Sequence, residues 1–246
     1  MAPTIWRVEH FDEIDSTNTH LTQRAGEAEG LVILADFQSA GRGRMDRSWE
    51  SPARSSLLCS MLFRPALEVT HLQLVVAMVA LSARSAIERL SGLRAGLKWP
   101  NDLIVGTSKL AGVLAEVATN DLGLAVVVGI GVNLTYEGPE HVLATSVLSQ
   151  TGLTITPRAL LDILLEEIDF RREQLDSGEG RAQLRAEYVH ALATIGQHVR
   201  VECADRTLEG FARGVDELGR LEVDVEGEIL IFAVGDVVHV RASEAP

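Results

Sequence analysis

The side chains best suited to chemistry lie in the segment FQSAGRGRMDRSWESP. It contains Arg42, Arg44 and Arg47, and Gly41 and Gly43 precede the first two of them. Guanidinium groups are forked donors that match carboxylate and phosphate oxygens, and glycines let a backbone turn and approach a ligand closely. The composition therefore predicts an anion-binding loop. The alternative interpretation is a solvated loop whose arginines pair with surplus carboxylates of the chain.

The rest of the chain is acidic, so this local cluster of positive charge is unusual. The 246 residues include 22 Lys and Arg against 35 Asp and Glu, which gives a formal net charge of −13. Such a charge repels duplex nucleic acid at long range, and we expect no DNA partner. With 46% hydrophobic and 23% charged residues, the composition is typical of a globular protein with a sizeable core.

Membrane, export and metal-binding signals are weak in this sequence. The longest apolar run, Leu74–Leu81, is much shorter than the roughly 18 residues of a membrane span. The first ten residues lack the basic and apolar regions of a signal peptide, so we expect a cytoplasmic protein without a membrane partner. Cys59, Cys203 and the scattered histidines match neither a disulfide framework nor a zinc spacing, and metal ligands stay unknown.

The elements that must position the arginines begin with alternating and buried apolar segments. Ile5–Phe11 predicts a strand, and a helix follows that begins near Ser16 and ends at Gly30. Leu31–Phe37 and Leu57–Phe63 predict two further strands. The arginine segment is therefore expected on the long connection between two strands.

The middle of the chain predicts a core helix and a sheet. His71–Leu90 is apolar at helical spacing. An extended segment that ends at Val105, a turn at residues 106–108 and a strand over Lys109–Val117 predict a hairpin. Leu124–Val132 is apolar enough to be a strand buried on both faces.

Towards the C-terminus the pattern changes from helices to short strands. Pro157–Leu175 and Arg181–Ala193 are helical by pattern, and five short strands follow between Val199 and Arg241. Closely spaced short strands favour a small separate β-barrel. We therefore predict a larger domain over residues 1–194 and a smaller one over residues 195–246.

Further motifs follow the arginine loop, and one precedes it. Together they resemble the biotin protein ligases over roughly residues 11–134, and the C-terminal region resembles them more loosely. The motifs are Ser16-Thr17-Asn18, Gly41-Arg42-Gly43-Arg44 continuing to Trp49, Phe63-Arg64-Pro65, Lys98-Trp99-Pro100-Asn101-Asp102, Lys109-Leu110-Ala111-Gly112 and Gly129-Ile130-Gly131-Val132-Asn133.

This resemblance implies a fold, an activity and a partner. The implied fold is α+β, with a class II aminoacyl-tRNA synthetase-like mixed sheet, flanking helices and a C-terminal SH3-like β-barrel. The implied enzyme uses ATP and Mg²⁺ to convert biotin into biotinyl-5′-adenylate, and then biotinylates a lysine of a biotin carboxyl carrier protein. Because only 15 residues precede Ser16, we expect no N-terminal DNA-binding domain. An exposed sheet edge would permit a homodimer.

The implied reaction brings two anions together, the biotin carboxylate and the α-phosphate of ATP, so fixed cations must neutralise both. The resemblance implies catalytic roles for Arg42, Arg44 and Lys109, with Lys109 at the carboxylate and the α-phosphate. Alternatively, Lys109 is a strand lysine that faces water. For Lys98, a site role and a surface role are equally open.

The resemblance also implies two binding sets. The ureido head of biotin needs convergent polar groups, although Ser16-Thr17-Asn18 could simply cap a helix. Trp49 either covers the adenine or anchors the loop on the core. The biotin set is Ser16, Thr17, Asn18, Gln38, Gly41, Arg42, Gly43, Arg44, Lys109 and Gly112, and the ATP set is Arg44, Arg47, Trp49, Asn101, Lys109 and Asn133.

The arginine loop is expected to behave as a gate. An acyl-adenylate hydrolyses in water, so residues 41–54 should be mobile without ligands and should close over the adenylate. Equal protease sensitivity with and without biotin and ATP would count against this expectation. Asp46 stands where the family usually has glycine, and it either orders the loop by pairing with an arginine or weakens adenylate retention.

Two other functions are consistent with parts of the sequence. A lipoate ligase shares the implied fold and chemistry, but its typical R-R-x-x-G-G motif is not found in this sequence. A non-enzymatic module would use the arginine loop and the C-terminal strands to contact an acidic partner or RNA. The net charge of −13 and the scarcity of aromatic clusters argue against RNA.

Overall fold

The computed structural model describes residues 6–45, 47–120, 123–203, 206–233 and 235–239. Asp46, residues 121–122, 204–205 and 234, and the predicted strand ends at Ile5 and Arg241 lie outside the described residues.

Seven strands form one mixed sheet in the order β1-β2-β3-β7-β6-β5-β4. The pairing of β1 with β2 is parallel, and every other pairing in the sheet is antiparallel. The central strands β2, β3 and β7 are almost fully buried, as their apolar runs predicted. The strands are β1 (Arg7–Phe11), β2 (Leu31–Ala35), β3 (Ser56–Phe63), β4 (Gly96–Lys98), β5 (Asp102–Val105), β6 (Ser108–Asn120) and β7 (Gly123–Asn133).

Helices cover both faces of this sheet. On one face α2 packs against α4 and α5 and contributes most of its side chains to the main core, and on the other α1 covers a smaller cluster that includes Leu21 and Ile33. The stretch Val69–Ser91 is long and apolar enough to span a membrane, but 67% of its apolar 18-residue part is buried inside the protein, which is typical of a core helix. The helices are α1 (Thr17–Gln23), α2 (Leu72–Ser91), α3 (Val147–Thr151), α4 (Pro157–Arg172) and α5 (Gly178–Ala191).

The predicted end of α1 at Gly30 was wrong. The helix ends at Gln23, and Arg24 leaves the helical conformation at the C-cap. The Arg24 guanidinium donates to Glu9 at 2.9 Å and to Glu27 at 2.6 Å, which fixes the following turn against β1. The contact with Glu9 joins parts of the chain 15 positions apart, so helix-end signals alone did not reveal it.

The short helix α3 was not predicted from the sequence. Ser146 and Ser149 form a reciprocal capping box at its start, and Gly152 ends it in the left-handed conformation with φ 73°. By contrast, α2 ends at Ser91, next to the predicted Leu90, and Gly92 follows it in the left-handed conformation with φ 72°. The helix α3, with only 5 residues, has too few apolar positions to show a helical period in the sequence.

The C-terminal segment forms a separate antiparallel sheet in the order β11-β10-β9-β8-β12, with the five strands that the sequence predicted. It docks on Trp99, a buried residue whose indole Nε1 donates to the Gly219 carbonyl at 3.1 Å. The Trp99 backbone N–H donates to Thr194 Oγ1 at 3.1 Å. The domain boundary at residue 194 stays a prediction. The strands are β8 (His198–Glu202), β9 (Thr207–Val215), β10 (Leu221–Val225), β11 (Glu228–Phe232) and β12 (Asp236–His239).

Candidate active site

A cavity of about 750 Å³ lies where the arginine loop, the start of α1, β6, β7 and β12 meet. This volume is in the range of small-molecule binding sites. All predicted site residues except Gly41 line the cavity, whereas Lys98 does not. The structure therefore brings together residues from every motif that carried the resemblance except Phe63-Arg64-Pro65.

The arginine loop folds back on itself rather than extending into solvent. The Gly43 N–H donates to the Arg47 carbonyl, and the Trp49 N–H donates to the Gly41 carbonyl at 2.9 Å. A Cβ atom at Gly41 would lie 2.3 Å from the Trp49 carbonyl oxygen, so glycine is required there by close packing. Arg54 closes the loop with φ 63°, a left-handed conformation that glycine adopts more readily than arginine.

Trp49 is packed on the floor of the cavity. A Cβ atom at Gly131 would lie 2.4 Å from its ring, and one at Gly112 would lie 3.3 Å away. The ammonium of Lys109 is 5.7 Å from the ring centroid, within the range of a cation–π contact. Trp49 thus anchors the loop on β6 and β7. Its buried indole Nε1 has no hydrogen-bond partner among the described residues.

Four side-chain oxygens form a row at one end of the cavity. Ser60 Oγ lies 2.6 Å from Asn18 Oδ1 and 2.8 Å from Thr17 Oγ1. Thr17 Oγ1 in turn lies 2.9 Å from Gln38 Oε1. Ser16 next to this row is the N-cap of α1, so the predicted cap and the predicted site lining coexist in one motif.

Both ends of this oxygen row are acceptors. The Thr17 backbone N–H donates to Gln38 Oε1 at 2.7 Å, which fixes the orientation of that amide. Asn18 Nδ2 donates to Glu116 at 2.9 Å and to the Leu114 carbonyl at 3.3 Å, which turns Asn18 Oδ1 towards the row. The three contacts share only two hydroxyl hydrogens. The row is therefore one hydrogen short and suits a ligand that brings N–H donors.

The cavity cations already contact carboxylates. Lys109 Nζ lies 2.7 Å from Asp102 Oδ1 on the neighbouring strand β5. Arg42 Nη1 lies 2.7 Å from Glu116 Oε1 on β6. Each pair is partly exposed, so each is worth only about 0–1 kcal/mol and can exchange partners at little cost.

The C-terminal sheet contributes to the same cavity. Arg47 forms an ion pair with Asp236 at the start of β12. Arg44 donates to Asn101 Oδ1 at 3.2 Å and approaches the Gly235 carbonyl at 3.5 Å. Burial lowers the pKa of Arg44 from its ordinary value, yet arginine stays charged at neutral pH. Gly235 and the first residue of β12 thus lie against the arginine loop.

The two asparagines of the predicted ATP set are held by backbone acceptors. Asn133 is buried and donates to the Thr145 carbonyl at 3.0 Å. Asn101 donates to the Val113 carbonyl at 2.7 Å. Both side chains are therefore fixed at the wall of the cavity.

Ser60 and Glu116 were missed by the sequence analysis. Both support lining residues from behind, Ser60 from β3 and Glu116 from β6. For Ser60 the available signal was a polar residue within a largely apolar strand, which needs a partner when it is buried. The mixed sequence of β6 gives no such signal for Glu116.

Among the described residues, no group of three or more His, Cys, Asp or Glu side chains could hold a metal ion. Cys59 is buried in the core, and burial raises the pKa of its thiol to about 12, so it is a packing residue.

Comparisons with known proteins identify the family of this chain. The profile of the Biotin/lipoate A/B protein ligase family matches residues 10–133, and that of the biotin protein ligase C terminal domain matches residues 194–240. A biotin--[acetyl-CoA-carboxylase] ligase of Mycobacterium tuberculosis is 36% identical to this chain. The match covers 96% of this chain and 90% of that protein. This chain belongs to the biotin protein ligase family.

Two further relatives extend the comparison. The bifunctional ligase/repressor BirA of Escherichia coli is 31% identical over 94% of this chain and 73% of its own length. The biotin protein ligase of Aquifex aeolicus in complex with biotin and ATP has a TM-score of 0.84, with 26% identity, and the match covers 96% of this chain and 99% of that one. The predicted α+β class with a β-rich C-terminal domain is thereby confirmed.

Proposed function

We propose that this chain activates biotin with ATP to biotinyl-5′-adenylate and transfers the biotinyl group to a lysine of a biotin carboxyl carrier protein. The observation that carries the proposal is one cavity with an acceptor row at one end and Lys109, Arg42, Arg44 and Arg47 around it. The relatives support it, since one is named as acting on acetyl-CoA carboxylase and another was solved with biotin and ATP.

The oxygen row favours biotin over lipoate as the substrate. The ureido head of biotin has two N–H donors, whereas the dithiolane ring of lipoate has none. The row formed by Asn18, Ser60, Thr17 and Gln38 is one hydrogen short, so an N–H donor completes it. A dithiolane would leave that deficit in place, at a cost of about 1–3 kcal/mol for an unmet buried polar group.

The cations suit the first half-reaction. A carboxylate oxygen of biotin attacks the α-phosphorus of ATP, the bond to the β-phosphate oxygen breaks, and pyrophosphate leaves. We propose that Lys109 contacts both the carboxylate and the α-phosphate, and that these anions replace Asp102 as its partner. Arg42 and Arg44 hold biotin and the adenylate, and Arg47 holds the nucleotide. Fixed cations of this kind lower the barrier without reorganising during the reaction.

The second half-reaction needs an open route to the acyl carbon. The neutral amine of the acceptor lysine attacks the carbonyl carbon of the mixed anhydride, the bond to the phosphate oxygen breaks, and AMP leaves. Trp49 and the loop residues around it exclude water from the anhydride until the acceptor binds. We propose that the loop opens at this step.

Mg²⁺ fits this site as a companion of ATP. It usually binds nucleotide phosphates, waters and only one or two carboxylates, so a cluster of three protein ligands is not needed. Among the described residues, the carboxylates of Glu50, Asp102 and Asp236 line the cavity, and Asp102 beside Lys109 and Asp236 beside Arg47 would hold the ion. The ion would supply charge neutralisation at the phosphates. A cytoplasmic location and a homodimer stay predictions from the sequence.

One assay tests the function. The protein is incubated with ATP, Mg²⁺ and a carrier domain, with biotin or lipoate added separately, and pyrophosphate release and acceptor mass are measured. We expect pyrophosphate and a biotinylated acceptor with biotin alone. Release with lipoate alone would identify a lipoate ligase, and release with neither would indicate a binding module.

Gly129→Ala is expected to weaken biotin binding by about 10–100-fold, because an unmet buried hydrogen bond costs about 1–3 kcal/mol. The new Cβ atom would lie 2.1 Å from Asn18 Oδ1 and would push that amide out of the oxygen row. Titration calorimetry with biotin checks this result. Gly26→Ala is the matched control, since nothing lies within 4 Å of its Cβ position, and its affinity should equal that of the wild type.

A further inference from the structure

We infer that Glu116 is a positioning residue that fixes the polarity of the biotin head-group site and connects the arginine loop to it. This inference rests on the proposed function, because it concerns how the same cavity recognises the ureido group. Glu116 itself is not among the residues that line the cavity, and it acts through two residues that are.

The Glu116 carboxylate bridges two elements that are distant in the chain. Its Oε2 accepts from Asn18 Nδ2 at 2.9 Å, at the start of α1. Its Oε1 accepts from Arg42 Nη1 at 2.7 Å, in the arginine loop. The side chain is 23% exposed, and both of its oxygens are occupied by donors. One carboxylate thus touches both the head-group row and the loop.

Only a carboxylate can satisfy both partners. Asn18 and Arg42 each present N–H groups, and an ionised carboxylate accepts at both oxygens, whereas a glutamine amide accepts at one end and donates at the other. A glutamine at position 116 must therefore point its NH₂ group at Arg42 or at Asn18. Either orientation places two donors against each other.

The consequence for the oxygen row depends on which partner is lost. If the glutamine NH₂ faces Asn18, that amide is driven to turn over, and its NH₂ group then points towards Ser60. The protein would then supply the hydrogen that the row lacks, and the ureido N–H would meet a donor rather than an acceptor. The turned amide would also place Asn18 Oδ1 against the Leu114 carbonyl oxygen, which accepts from Asn18 Nδ2 at 3.3 Å in the structure. Two acceptor oxygens at this distance repel each other. Biotin affinity falls in this case.

If the glutamine NH₂ faces Arg42 instead, the guanidinium loses its anchor on β6. In the structure this contact ties Arg42 Nη1 to Glu116 on β6, and the Arg42 side chain also lines the cavity. The loop then has to be positioned by biotin itself, which uses part of the binding energy. Biotin affinity falls again, while the far side of the cavity at Asn101 and Asn133 is unchanged.

An ordinary, partly exposed ion pair predicts something different. Such a pair contributes little to stability and has no reason to discriminate between two substrates. A positioning role predicts a selective change in the biotin KM with the ATP KM unchanged. It also predicts that Asn18 and Glu116 are coupled, so that the second change costs little once the first is made.

The experiment uses Glu116→Gln, Asn18→Ala and the double variant, with Glu228→Gln on the exposed part of β11 as the matched control. Biotin affinity, both KM values and the melting temperature are measured. We expect Glu116→Gln to raise the biotin Kd by about tenfold or more, the ATP KM to stay within about twofold, and the double variant to resemble Asn18→Ala. Glu228→Gln should match the wild type.

Additive effects in the double variant, or an unchanged biotin Kd for Glu116→Gln, would overturn the inference. If Glu116→Gln does not fold, Glu116→Asp replaces it, because aspartate keeps the charge but is too short to bridge both partners. Its biotin Kd should also rise, and a wild-type value would overturn the inference. The activity of the wild type separates the proposed function from the inferred role of Glu116. Pyrophosphate release by the wild type with biotin upholds the proposed function whatever the variants do, and its absence overturns both.

Discussion

Lys109→Ala is expected to lower biotin-dependent pyrophosphate release by about 10²–10³-fold, the usual cost of removing one fixed group that stabilises developing charge. The Lys109 ammonium lies at the meeting point of β5, β6 and Trp49, where the ligand anions must converge. Without it, the carboxylate and the α-phosphate repel each other in a poorly solvated cavity. Pre-steady-state measurement of pyrophosphate release isolates this step.

The matched control is Lys98→Ala, since Lys98 does not line the cavity. A wild-type rate for this control would also decide between the two roles that the sequence left open for Lys98. If Lys109→Ala released pyrophosphate at the wild-type rate, Lys109 would not be the group that brings the two anions together.

Arg44→Ala is expected to raise the release rate of the enzyme-bound adenylate by about 10–100-fold, because charge-assisted hydrogen bonds contribute about 1.5–3 kcal/mol. Arg44 is held between Asn101 and the Gly235 carbonyl, so its guanidinium is preorganised beside the nucleotide set. Chromatographic detection of free adenylate in the absence of acceptor measures the rate.

Arg158→Ala provides the comparison for Arg44→Ala. Arg158 forms an exposed ion pair with Asp162 on α4, and its loss should leave adenylate retention unchanged. Slow adenylate release from Arg44→Ala, equal to that of Arg158→Ala, would show that the loop retains the intermediate without this residue.

The arginine loop shows why two competing interpretations of a sequence can both hold. Arg42 and Arg47 do pair with carboxylates, as the solvated-loop interpretation expected. Those carboxylates are Asp236, which lines the cavity, and Glu116, which contacts the lining residue Asn18 from behind. Weak pairs of this kind keep the cations in place and can yield to ligand anions.

Much of the fold was predictable because burial leaves a strong pattern in the sequence. The continuous apolar runs of β2, β3 and β7 and the apolar face of α2 were correctly placed within a few residues. The end of α1 was not, because Arg24 at its C-cap is held by ion pairs with Glu9 on β1, 15 positions away, and with nearby Glu27. Local signals cannot register a contact that only the folded chain creates.

The site was predictable where a short motif supplies both the turn and the side chain. Thr17 and Arg44 belong to such motifs, and both line the cavity. Glu116 and Asp236 lie on strands whose local pattern shows only that they are strands. Their relevance comes from pairing across the sheet and between domains, as in the contact from Arg44 to Gly235 across 191 positions.

The most direct test of the central claim is a crystal structure with biotin and a non-hydrolysable ATP analogue. We predict that Lys109 Nζ leaves its 2.7 Å contact with Asp102 and lies within about 3 Å of both the biotin carboxylate and the α-phosphate. The arginine loop should cover both ligands, with the ureido N–H groups on the oxygen row. A structure in which Lys109 stays on Asp102 while the loop points away from both ligands would contradict the account.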